Sequence, residues 1–186
     1  MVVETSSVQC WGEIAPRQDG DSISEALGLL DDMKATQYLA NEELNFRIAL
    51  WQGDITELKV DAVVNCNNEL LNERAGVSGS LYAVAGPQLE EACTRLGECA
   101  PGSARATRGF GLPMKHVIHT VSPQWSDGLE VEAALEACYR ASLQICLQLH
   151  CTTVAFTCIK STDAPREQVR RDAANAMATV VGGKVY

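Results

Sequence analysis

The chain has 186 residues, 46% of them hydrophobic, with a formal net charge of −9. That is enough for one domain with a sizeable core plus a tail, and too apolar for a disordered chain. No apolar run reaches the roughly 18 residues of a membrane span, the N-terminus lacks the basic and apolar regions of a secretory signal, and the acidic balance without a basic stripe excludes a nucleic-acid binder.

These exclusions lead us to expect a soluble, cytoplasmic protein with no membrane partner; we also expect a monomer without metal or cofactor. Residues 1–44 are polar and acidic, with one amphipathic stretch, Ser24 to Met33, whose Leu27, Leu30 and Met33 fall at helical spacing behind a capping Ser24. We read this region as an extension with a short helix, and Trp11 as a packing anchor. The domain proper spans residues 45–186. Phe46 to Trp51 alternates like a half-buried strand. Val60 to Val64 is nearly continuous in apolar residues, as a strand covered on both faces should be. Val77 to Leu96 has helical periodicity, but Gly86-Pro87 interrupts it, so two helices meet there. Ala104 to Thr107 reads as a strand, Gly109 to Pro113 as a turn, and His116 to Val121 as a second β-branched strand. Leu129 to Leu149 is the clearest helix, with Val131, Ala134, Leu135, Cys138, Ile145, Cys146 and Leu149 on one face. Thr152 to Ile159 is a buried strand, and Arg166 to Val181 a last helix behind Pro165.

Alternating strands and helices imply a three-layer α/β/α sandwich around a central, mixed sheet. Ligands bind such sheets at the carboxyl ends of strands, which selects the segments after Trp51, Val64 and Ile159. The eight cysteines show neither CxxC nor zinc spacing. Cys66 and Cys158 lie in strand-like runs and Cys138 and Cys146 on a helix stripe, so we expect reduced, buried thiols. REQVRR (Arg166 to Arg171) mixes in a glutamate and reads as a solvated helix face.

Specific segments carry a resemblance. Gly53-Asp54-Ile55-Thr56 is followed by Asp61-Ala62-Val63-Val64-Asn65-Cys66-Asn67-Asn68, then Gly76-Val77-Ser78-Gly79, Ala85-Gly86-Pro87, and Val117-Ile118-His119-Thr120-Val121-Ser122-Pro123. In this order and spacing they resemble macro domains, the α/β fold that holds ADP-ribose. The runs around Asn67-Asn68-Glu69, Leu96 to Cys99 and Ala137 to Arg140 are most similar to the ganglioside-induced differentiation-associated proteins and their plant counterparts. Those pair a macro domain with a CRAL-TRIO lipid-binding domain, which is not read in these residues. Gly182 to Tyr186 follow the last helix closely, where a macro domain has another strand and helix, so we expect a shortened or fragmentary C-terminus.

The resemblance assigns roles. Asp54, with Ile55 beside it, would accept the adenine amino group; read alone, a Gly-Asp pair is better explained as a turn or cap, and the resemblance reverses that order. Asn68 would hold the distal ribose through an amide that both donates and accepts. Asn65 reads as an amide tying down loop backbone, and Asn67, which replaces an alanine, has no assigned role. Backbone N–H groups around Gly76, Val77, Ser78 and Gly79 would face the pyrophosphate. The chain departs from the family there: Glu73 and Arg74 replace glycines, and Arg74 either reaches a phosphate or is a solvated loop residue. In the second phosphate loop, Ile159 to Pro165, Ser161 and Thr162 remain as donors, without the family's glycines and aromatic and with Asp163 added. Ser78 stands where family hydrolases have an aspartate that acts on water, and a serine without a base is a poor catalyst. His119 is more simply structural than catalytic. The expected function is a non-catalytic module recognising ADP-ribose or a mono-ADP-ribosylated protein. The competing readings are an ADP-ribosyl or O-acetyl-ADP-ribose hydrolase using Asn68 and Ser78, and a scaffold that has lost the pocket.

Overall fold

The structure, a computed structural model, describes residues 2–4, 8, 46–49, 51, 53–124 and 129–159. The helix expected at Ser24 to Met33, Trp11, the last helix, and Lys160 to Asp163 lie outside them. Chain contacts divide into two units, Met1–Thr5 with Asp54–Tyr186, and Ser6–Gly53.

In the first unit, β1 (Val3–Glu4) runs parallel to β2 (Leu58–Lys59), and a 3-10 turn at Ile55–Glu57 precedes β2. The main sheet contains β3 (Ala62–Asn67), β4 (Ala104–Arg108), β5 (His116–Val121) and β6 (Val154–Phe156) in the order β4-β5-β3-β6. β3 is parallel to both β5 and β6, while β4 and β5 are antiparallel, so the sheet is mixed as expected. Helices α1 (Gly76–Ala85) and α2 (Pro87–Leu96) follow β3, and α3 (Leu129–Gln148) connects β5 to β6. Pro87 opens α2 and Gly86 closes α1, as the Gly-Pro pair predicts.

Side chains alternate across a strand, and β3 uses both faces. Val63, with Val117 and Val121 of β5, packs beneath Leu71, Leu81, Tyr82, Leu89 and Cys93 on the α1–α2 side. Ala62 and Val64, with Ile118, pack against Val131, Leu135, Cys138 and Tyr139 of α3. Two apolar clusters on opposite faces of one sheet make the three-layer sandwich. Each fully buried leucine or isoleucine contributes about 2 kcal/mol of transfer free energy.

The differences from the sequence reading have physical reasons. Phe46 and Arg47 form a turn and Ala49 a single bridge, not a strand. Phe46 is 58% exposed, so this stretch has no apolar face in cover to reward extension. Cys158 is exposed rather than buried and Cys66 half-buried, whereas Cys138 and Cys146 are buried; all four are thiols outside any disulfide. β6 covers only three of the expected residues. β3 starts later than expected and extends to Asn67, which carries two asparagines into the strand.

The reason for that start is Asp61. Its Oδ1 accepts from Lys115 Nζ at 2.7 Å, and its Oδ2 accepts from Thr152 Oγ1 at 2.7 Å, Thr152 N at 2.8 Å and Thr153 N at 3.2 Å. The Lys115 bond foremost, then those of Thr152, hold its pKa well below the usual carboxylate range. One carboxylate thereby gathers the amino ends of β3, β5 and β6. Asp61→Ala should cost about 2 kcal/mol in urea unfolding, the scale of hydrogen bonds to a charged group.

His119 is a second buried polar group. Its Nε2 lies 3.0 Å from Thr107 Oγ1 and 3.5 Å from Cys93 Sγ, and Nδ1 has no partner among the described residues. Burial, assisted by the Arg74 charge, lowers its pKa to about 4. The unfolded chain, titrating near pH 6.5, binds a proton that the folded chain resists. The His119 contribution is therefore complete above pH 6.5 and is lost as pH falls toward 4, approaching about 1.4 kcal/mol per pH unit. Comparing the pH dependence of unfolding for wild type and His119→Gln should show this extra slope in wild type only.

Candidate functional site

The carboxyl end of β3 delivers Asn65 and Asn67 to the same face, two residues apart, and the chain then turns through residues 68–75 into α1. Buried amides in a strand demand partners. Asn67 finds four. Its Oδ1 accepts from Asn68 N and Glu73 N, both at 2.9 Å, and its Nδ2 donates to Ser78 Oγ and Tyr82 Oη, both at 3.4 Å. Two acceptor sites and two N–H donors are the full capacity of a primary amide. Asn67 thus has the role that the sequence reading left blank.

Ser78 is likewise saturated. Its hydroxyl donates to Glu73 O at 2.9 Å and accepts from Asn65 Nδ2 at 3.1 Å and from Asn67. One donor and two lone pairs are all a hydroxyl has, and the residue is only 5% exposed. Asn65 accordingly ties down a side chain rather than loop backbone, correcting the expectation. Tyr82 Oη donates to Leu71 O at 2.6 Å and holds the turn where Leu71, fully buried, adopts a φ of 55°. That left-handed conformation is costly for leucine and persists because the Tyr82 bond and core burial impose it.

The expected ligand-facing residues sit around this buried cluster. Asn68 is exposed, and its amide exchanges two bonds with Asn72: Nδ2 to Asn72 Oδ1 at 2.7 Å, and Asn72 N to Asn68 Oδ1 at 3.0 Å. Asp54 caps the 3-10 turn, accepting at Oδ1 from Thr56 N at 2.9 Å and Thr56 Oγ1 at 2.7 Å. The Thr56 hydroxyl first, then its backbone N–H, lower the Asp54 pKa. Both bonds use one oxygen; among the described residues Oδ2 accepts none. The turn that Asp54 caps packs against α1, and Ile55 contributes to the core beneath it. Asp54, Ile55 and α1 therefore belong to one neighbourhood.

At that start, Gly76 is exposed with a φ of 55°, and Val77 is exposed beside it. Among the described residues no acceptor faces the N–H groups of Gly76, Val77 or Ser78, the usual state of a helix first turn. Gly79 N bonds Ala75 O, and a Cβ at Gly79 would lie 2.2 Å from Arg74 O, so only glycine fits. Ser161 and Thr162 fall outside the described residues, so they are not placed relative to this edge. Glu73 Oε1 accepts from both Arg74 N and Ala75 N at 2.8 Å. The Arg74 guanidinium lies over the Tyr82 ring, 3.5 Å from its centroid, and pairs with Glu90 at 3.3 Å. With Gly79 and Pro87 these residues line a depression of about 440 Å³ that includes neither Asp54 nor Asn68. Among the described residues no cluster of His, Cys, Asp or Glu is arranged to hold a metal, and no helix is long and apolar enough to cross a membrane.

Sequence reasoning missed Asn67, Tyr82 and the Glu73 bonds to the loop before α1. Two asparagines at i, i+2 inside an apolar strand were the available signal for the first two, and an acidic residue just before a helix start was the signal for the third. Ser78→Ala should lower stability by about 1–2 kcal/mol and Asn67→Ala by about 2–3 kcal/mol. The double variant should lose about 1 kcal/mol less than the sum, because the two residues share a bond; chemical denaturation measures all three.

The macro domain family profile matches residues 64–173. Ganglioside-induced differentiation-associated protein 2 of Rattus norvegicus is 33% identical over 86% of this chain, which spans 32% of that protein's length. The rat ADP-ribose glycohydrolase MACROD1 is 40% identical over 73% of this chain and 54% of its own. Among solved structures, the ganglioside-induced differentiation-associated protein 2 macro domain superposes with a TM-score of 0.77 at 29% identity, covering 98% of this chain and 84% of that one. A Trypanosoma brucei macrodomain in complex with ADP-ribose gives 0.69 at 26% identity, covering 97% and 65%. With its sheet order, its paired helices after β3 and this match across most of its length, the chain belongs to the macro domain family.

Proposed function

We propose that the chain is a recognition module for ADP-ribose or a mono-ADP-ribosylated protein, and that it does not hydrolyse its ligand. The ligand lies along the carboxyl edge of the sheet. Asp54 Oδ2 accepts from the adenine amine, the first-turn N–H groups of Gly76, Val77 and Ser78 face the pyrophosphate, and Asn68 trades its Asn72 partner for ribose hydroxyls. An acidic chain can hold a diphosphate this way because oriented amides, rather than lysines, supply the positive potential.

One observation carries the non-catalytic part. By the motif resemblance Ser78 stands where family hydrolases have an aspartate, and its hydroxyl is buried with every hydrogen-bonding capacity used. Such a group can neither take a proton from water nor attack a carbon without breaking the cluster beneath the loop. The likeness to an ADP-ribose glycohydrolase favours the other reading, in which Asn68 supports water attack. Calorimetric titration with ADP-ribose should show saturable binding, weakened about tenfold or more in Asp54→Ala, a loss of about 1.4 kcal/mol. Absence of heat and of a thermal shift at millimolar ligand refutes binding. Release of ADP-ribose from a mono-ADP-ribosylated protein at a rate that depends on Asn68 refutes the non-catalytic assignment.

A further inference from the structure

The loop before α1 already holds an anion, one of its own. Glu73 Oε1 accepts from two consecutive backbone N–H groups, Arg74 N and Ala75 N, each at 2.8 Å. Ala75 is the N-cap of α1 and contributes no side-chain cap itself, so the carboxylate stands at the positive end of the helix. Two successive amides converging on one oxygen form the kind of concavity that binds phosphate oxygens. The nearest cation does not neutralise it: the Arg74 guanidinium is drawn away to the Tyr82 ring and Glu90, and reaches Glu73 only at its carbonyl.

We propose that Glu73 determines the specificity of this site by acting as a tethered competitor, its carboxylate occupying the Arg74 and Ala75 amides and setting a negative charge beside the Gly76, Val77 and Ser78 amides that face a ligand's diphosphate. The inference rests on the reading of the chain as an ADP-ribose binder. A diphosphate on the neighbouring amides must push the carboxylate aside or sit beside its charge, whereas the adenosine half of the ligand, held by Asp54, does not meet it. Glu73 thus penalises the phosphates selectively. It also ties down the two residues that lead into α1 in the free protein, so its removal costs stability while it improves binding, a combination that a purely structural residue would not show.

The test compares ADP-ribose and adenosine by calorimetry on wild type, Glu73→Gln, Glu73→Ala and the control Glu69→Gln, which removes an exposed carboxylate from the same loop. Thermal unfolding shows that each variant is folded, and Glu73→Gln, which keeps an acceptor in place, decides if Glu73→Ala does not fold. We expect both Glu73 variants to bind ADP-ribose at least about tenfold more tightly, adenosine affinity to stay within about twofold, and Glu69→Gln to behave as wild type. Unchanged or weaker ADP-ribose binding in the Glu73 variants, with wild type binding, overturns the competitor and leaves the ADP-ribose reading standing. An equal gain in Glu69→Gln also overturns it, because the effect would then be one of general charge. If no protein binds ADP-ribose, both readings fall. If only the Glu73 variants bind, the competitor is supported in its strongest form.

Discussion

Asn67 makes every hydrogen bond its amide can make, and the edge of the sheet is organised around it. Its carbonyl fixes the first and sixth residues of the following loop, while its amino group reaches Ser78 and Tyr82 of α1. Those bonds set where the loop leaves the strand and where it enters the helix. Inside a low-dielectric core, an arrangement with no unpaired member is rigid, and loss of one member exposes the others to the full cost of an unsatisfied polar group. The same rigidity has a chemical consequence. A serine held by three partners is a structural post, and on the proposed reading this is why it does not act on water.

The placement of Asn67 depends in turn on the other end of β3. Asp61 ties Lys115 and Thr152 to the strand start, and the registers Ala62 with His116 and Ala62 with Val154 follow. A slip of one residue would turn Asn65 and Asn67 toward α3 and put Val64 under α1. The sheet thus has a structural end and an end that carries the candidate site: a charged cluster secures the amino ends of three parallel strands, and the carboxyl ends present amides and helix N–H groups. In the free chain these outer groups find local partners, Asn68 with Asn72, Asp54 with Thr56 and Glu73 with its own loop. On the proposed reading a ligand exchanges hydrogen bonds at these three side chains, which favours marked sensitivity to single side chains.

Much of this was legible in the sequence. The interruption at Gly86-Pro87 gave the two helices, the β-branched run His116 to Val121 gave its strand, and the stripe on α3 named Val131, Leu135, Cys138 and Cys146 as buried. The ordered motifs from Gly53 to Pro123 gave the family. What was not legible was how side chains use their capacity. Nothing in the string says that Ser78 points down into the asparagines instead of outward, because that depends on a strand beginning one residue after Asp61. Phe46 to Trp51 alternates as a strand should, yet alternation states only what a stretch could bury. The Asp54 cap illustrates a further limit: its capping role and its proposed amine contact use different oxygens of one carboxylate, and a residue letter does not separate them.

The central claim is that a buried Asn65–Asn67–Ser78 cluster stays fixed while the loop above it takes the ligand. Its most direct test is an ADP-ribose titration followed by NMR, tracking the backbone amides of residues 74–79 together with the side-chain amides of Asn65 and Asn67. The account predicts large shifts at Arg74, Ala75, Gly76 and Val77 and nearly stationary side-chain amides. Binding that moves the Asn65 and Asn67 side chains and leaves the loop amides in place would contradict it.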